Sequence, residues 1–81
     1  MESFGATLRQ AREARGIDLE LASLETNITA SYLDALEKEL ISSFPFDTYL
    51  IGFLKNYAEY LNLDAEELVT MYKAVKTQIE P

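Results

Sequence analysis

Three aromatic residues at helical spacing, Tyr49, Phe53 and Tyr60, have the types and placement to do chemistry, and that chemistry is recognition rather than catalysis. At roughly 100° per residue, with Leu50 at zero, Phe46, Leu50, Leu54, Tyr57 and Leu61 fall within about 40° of one line. That line reads as a buried stripe. Phe53, Tyr60 and Tyr49 lie about 60°, 80° and 100° to one side of it, as an aromatic ridge at the edge of the stripe. Lys55, Glu59 and Thr48 take the opposite, wet face. A small domain has little reason to keep three aromatics at its core margin unless something else packs there, and a partner protein would.

The composition excludes most other chemistry. Histidine and cysteine are both absent. Zinc and copper sites are therefore not expected, and the commonest general base is missing. The expectation is a non-enzymatic chain with no metal and no cofactor. Its 81 residues make one domain, residues 1–81. A chain of this size buries roughly 60–65% of its unfolded surface, enough for an adequate core without disulfides. The lack of cysteine fits a reducing compartment. No run approaches the roughly 18–20 apolar residues of a membrane span, and no secretory leader opens the chain, so it is expected to be soluble as it stands. Glu80-Pro81 is not an obvious natural ending, which suggests a fragment of something longer.

The net charge is −7, unevenly spread. Residues 17–40 carry Asp18, Glu20, Glu25, Asp34, Glu37 and Glu39 against Lys38 alone. These carboxylates read as a solvated face that could also steer a basic partner patch. Arg9, Arg12 and Arg15 form the one basic cluster.

Five helices must position these residues. The first runs from about Phe4 to Arg15 and stops at Gly16, suited to a left-handed turn. Asp18 caps a second helix through about Glu25. Thr29 is expected to cap a third, to about Glu39, with Ile28 and Leu33 as a hydrophobic staple and Tyr32, Leu33 and Leu36 turned inward. Ser42-Ser43-Phe44-Pro45 breaks the chain before the aromatic helix, which ends at Asn62. Gly52, in mid-helix, is expected to permit close helix packing. Asp64 and Glu67 resemble a capping box for a fifth helix through about Gln78. No segment alternates at period two for long enough to make a strand. The predicted fold class is all-α, a five-helix bundle with short loops.

Residues 5–39 resemble the repressor-type (Cro-like) helix-turn-helix family, on Leu8, Arg12, Gly16, Ile28, Leu33, Leu36 and Glu37. The resemblance implies a structural ion pair between Arg12 and Glu37. It also implies DNA binding, and there the residues disagree. DNA readers present Arg, Lys, Gln or Asn to base edges, whereas the matching positions are Ala30, Ser31 and Ala35. Leu19 stands where a phosphate-contacting glutamine is common. Glu20, Asp34, Glu37 and Glu39 add charge of the wrong sign for phosphate.

The chain as a whole resembles the cytoplasmic N-terminal domains of the RodZ family of bacterial cell-shape proteins, over roughly residues 5–72. The specific part is Pro45-x3-Tyr49-x2-Gly52-Phe53-Leu54-Lys55-x-Tyr57-Ala58-x2-Leu61-x-Leu63-Asp64. Glu39 and Asn62 stand where that family usually has glycine, and Ile51 where it has a basic residue. The resemblance implies an adaptor that binds the actin-like filament protein MreB through Tyr49 and Phe53. Tyr60 joins them by helical geometry alone. It further implies a place at the cytoplasmic face of the bacterial inner membrane, through a segment outside this chain. The competing readings are a Cro-type transcriptional regulator that binds operator DNA, and an architectural domain that self-associates through the aromatic ridge.

Overall fold

The structure, a computed structural model, describes residues 3–79. Among them it is all-helical: α1 (Phe4–Ala14), α2 (Leu19–Thr26), α3 (Ala30–Lys38), a 3-10 turn (Ile41–Ser43), α4 (Asp47–Tyr60) and α5 (Ala65–Ile79).

Local chemistry sets most of the helix ends. Ser3 accepts from the Ala6 N–H at the start of α1, and Asp18 accepts from the Leu21 N–H at the start of α2. Asp64 accepts from the Glu67 N–H at the start of α5. Gly16, Asn27, Glu39 and Asn62 all take positive φ at helix ends. Thr29 occupies the N-cap of α3, but contrary to expectation its side chain makes no capping bond. The first turn is tightened instead, and the Tyr32 N–H donates to the Thr29 carbonyl at 3.0 Å.

Glu39 is a left-handed residue without glycine's freedom, at φ 58°. That conformation strains a residue with a Cβ. Its carboxylate compensates by accepting from the Gly5 N–H at 3.1 Å, at the positive end of α1. The crossing of α1 and α3 is close here: a Cβ on Gly5 would stand 2.3 Å from the Glu37 carbonyl oxygen. Gly5 is therefore the glycine that helix packing requires. Gly52 is not, because a Cβ there would meet nothing within 4 Å.

The core gathers Phe4 and Leu8 of α1, Leu33 and Leu36 of α3, Leu50, Leu54 and Tyr57 of α4, and Leu68 and Tyr72 of α5. Ile28 is buried with Leu33, as a staple pair would be. The stripe read from the sequence holds for Leu50, Leu54, Tyr57 and Leu61 and fails for Phe46, which is 65% exposed. Phe46 is the N-cap of α4 with extended backbone, φ −142° and ψ 148°, so the helical angle does not apply to it.

At the centre of the bundle sits a polar node. Arg12 donates to both carboxylate oxygens of Glu37, at 2.7 and 3.0 Å. It also donates to the Ile17 carbonyl at 2.9 Å, which holds the turn between α1 and α2. The Tyr57 hydroxyl donates to the same carboxylate. Glu37 is buried, yet its oxygens are satisfied from two helices, as a buried charge must be.

A candidate interaction surface on the fourth helix

Pro45 is followed by extended backbone at Phe46, and α4 then starts at Asp47. Asp47 fixes this end of α4 to α5. It accepts from the Tyr72 hydroxyl and lies 3.2 Å from the Lys76 ammonium. The Tyr72 hydrogen bond, with Lys76 beside it, holds the Asp47 carboxyl below its ordinary pKa. A groove of about 180 Å³ opens between the 3-10 turn, the start of α4 and α5, and Phe46 is part of its lining.

From Phe46 a run of rings crosses the surface. Phe46 lies 5.9 Å from Tyr49, centroid to centroid. Tyr49 stacks on Phe53 at 6.2 Å, and Phe53 meets Tyr32 of α3 at 5.2 Å. Tyr32 stacks in turn on buried Phe44 at 5.1 Å. The run therefore passes from core to solvent. Phe44 is buried, Tyr32 and Phe53 are half-buried, and Tyr49 is 52% exposed. Ring pairs at these separations attract one another beyond simple burial. The exposed members are thus held in place by the buried ones.

The structure brings Tyr49 and Phe53 together and sets Tyr60 apart from them. Tyr60 stacks on Tyr57 at 6.4 Å. Its hydroxyl donates to Glu25 of α2, and its carbonyl accepts from Arg15 at 3.1 Å. Donation to Glu25 raises the phenol above its ordinary pKa. Tyr60 serves as a tie between α4 and α2. Sequence reasoning missed Phe46 and Tyr32 as members of the surface. Pro45 was the available signal for Phe46, since a chain break there starts the helix one residue later. Tyr32 carried no such signal, because it joins the run through tertiary contact alone.

The face that a helix-turn-helix would turn to DNA is poorly equipped for it. Ser31 is exposed and Ala30 half-buried, while Ala35, expected on this surface, is buried in the core. Glu37 and Glu39 also do not project from it, since one binds Arg12 and the other the Gly5 N–H. Leu21 and Leu24 of α2 are exposed and offer phosphate no donor. Lys38 of α3 is paired with Asp34 at 3.1 Å.

Among the described residues, no cluster of acidic side chains could hold a metal ion. No helix among them is long and apolar enough to cross a membrane.

A family profile described as "Helix-turn-helix domain" matches residues 7–68. The chain is also similar to the "Cytoskeleton protein RodZ" of Streptococcus pneumoniae (strain ATCC BAA-255 / R6), 31% identical over 71 residues. That match covers 88% of this chain and 26% of the relative, so the chain spans about a quarter of the relative's length. No solved structure matches it. The repressor-like α1–α3 unit, with its Arg12–Glu37 pair and an aromatic α4 behind it, belongs to the helix-turn-helix family, as a RodZ-like domain.

Proposed function

We propose that this domain is a non-enzymatic adaptor that binds the actin-like filament protein MreB through Phe46, Tyr49 and Phe53. The reading would tie bacterial cell shape to the inner membrane through a segment outside this chain. The observation that supports it is the run of rings from buried Phe44 to exposed Tyr49 and Phe46. A fold gains little from keeping Phe46 and Tyr49 in water, and rigid exposed aromatics are what interface anchors are made of. The similarity to a cytoskeleton protein agrees with a filament as the partner.

Co-sedimentation of the 81-residue chain with polymerised MreB from the same bacterium tests the proposal. The chain should pellet with filaments and stay in solution without them. A chain that remains in the supernatant at saturating filament rejects it. A selection from random duplexes that enriched a motif at sub-micromolar protein would favour the regulator reading instead.

A further inference from the structure

The groove between the 3-10 turn, the start of α4 and α5 has an apolar interior. Phe44, Leu50 and Tyr72 line it and are buried, so they form its floor. Ile41, half-buried, lines it from the 3-10 turn, and Phe46, 65% exposed, from the start of α4. The two charged groups on its lining are engaged with each other. The Lys76 ammonium stands 3.2 Å from Asp47, which also accepts from the Tyr72 hydroxyl. The groove therefore makes no strong demand for a polar occupant. Its volume is about 180 Å³. An apolar cavity of about 150 Å³ is large enough to hold a benzene ring. The groove thus has room for one aromatic or branched aliphatic side chain.

Size and charge decide what that side chain belongs to. One side chain buries far less than the roughly 1,200 Å² of a stable protein interface. The groove can only be part of a larger contact, and it shares Phe46 with the run of rings. A partner that covers Tyr49 and Phe46 thus reaches the mouth of the groove. A second copy of this chain is the poorer candidate, because two copies of net charge −7 repel.

We infer that the groove receives one apolar side chain of the filament partner, which enters between Ile41 and Phe46 and packs on Phe44, Leu50 and Tyr72. This rests on the adaptor reading above. It adds a socket, into which the partner projects, to the aromatic surface that projects toward the partner.

The test uses the absence of cysteine from the chain. Ile41→Cys puts a single thiol on the groove at the 3-10 turn, and Lys76→Cys puts one on it from α5. Glu20→Cys puts one on the exposed side of α2, which carries none of the rings. Each variant is melted to show that it folds. Its reaction with N-ethylmaleimide is then followed by the mass of the chain, with and without polymerised MreB. Saturating filament should slow both groove thiols by about tenfold or more and leave the Glu20→Cys thiol unchanged, since reactivity follows access. Benzyl methanethiosulfonate on Ile41→Cys should fill the groove and weaken filament binding by about tenfold or more, relative to the same variant treated with the methyl reagent. If the parent pellets with filaments but both groove thiols react as fast as before, or the benzyl and methyl forms bind alike, the groove inference falls and the adaptor reading stands. If the parent does not pellet, the adaptor reading falls and takes the inference with it. If the groove thiols slow as the concentration of the chain alone is raised, a second copy covers the groove and the inference is overturned.

Discussion

The Tyr57 hydroxyl donates to the Glu37 carboxylate at 2.5 Å, so the helix that carries the aromatic surface is fastened to the helix-turn-helix by the carboxylate that Arg12 holds. The hydrogen bond adds a directional tie to the packing of α4 against α3. A hydrogen bond fixes the position of Tyr57, and with it that of Tyr49 and Phe53 two turns and one turn earlier.

Breaking the node from either side should therefore be costly. Arg12→Ala and Glu37→Ala should each destabilise the fold by about 2–4 kcal/mol, because each leaves its partner buried and unpaired. The double mutant should lose less than the sum of the two. Additive losses in urea melts would show that the two side chains do not interact.

Alkali should weaken the same node through Tyr57. Burial, and then donation to Glu37, hold its phenol well above its ordinary pKa. A group whose folded pKa is raised contributes its full stability below the unfolded value, about 10 for tyrosine, and loses it as pH rises further. Tyr57→Phe lacks the group, so it should be less stable near neutrality by about 1–2 kcal/mol. Its deficit should then narrow by about 1.4 kcal/mol per pH unit above about pH 10. Parallel stability curves for the two proteins from pH 8 to 11.5 would rule this out.

Truncations along α4 should separate binding from folding. Tyr49→Ala should weaken filament binding by about 1–3 kcal/mol and change stability by no more than about 0.5 kcal/mol. Phe53→Ala should lose some of both, since its ring touches Tyr49 on one side and Tyr32 on the other. Leu54→Ala should mainly unfold the domain, by about 2–5 kcal/mol. The readouts are melting temperature and MreB affinity for each variant. If Tyr49→Ala melts as badly as Leu54→Ala, the exposed rings are part of the core and not a contact surface.

Gly5→Ala should destabilise the domain by about 1–3 kcal/mol, because its Cβ meets main chain of α3 that cannot rotate away. A variant that melts with the parent would mean that α1 and α3 do not cross so closely.

What could be read from the sequence was mostly what neighbouring residues decide among themselves. Asp18 and Gly16 act within a few residues of their own positions, and both behave as capping chemistry requires. The stripe of Leu50, Leu54, Tyr57 and Leu61 follows from helix geometry inside α4. Phe46 escaped because the angular count assumed a helix that had not yet begun. Ala35 and the two glycines escaped for a different reason. Whether a methyl group has a neighbour depends on how two helices approach, which no single helix can reveal. The role given to Gly52 thus belonged to Gly5. Glu39 escaped because its purpose lies 34 residues away, at Gly5. The aromatic surface was legible at Tyr49 and Phe53 as a departure from the stripe. Its continuation through Tyr32 was not, because that ring comes from another helix.

The hydrogen bonds of the tyrosines have an optical consequence. The chain has five tyrosines and no tryptophan, so its near-ultraviolet emission comes from phenols. A carboxylate that accepts a hydrogen bond from a phenol quenches it by drawing off the proton in the excited state. Tyr57, Tyr60 and Tyr72 donate to Glu37, Glu25 and Asp47 and should be dimmed in this way. Among the described residues, Tyr32 and Tyr49, on either side of Phe53, make no such bond and should supply the larger share of the emission. The chain's own unlabelled fluorophores are thus divided between the run of rings on α3 and α4 and the three phenols tied to carboxylates.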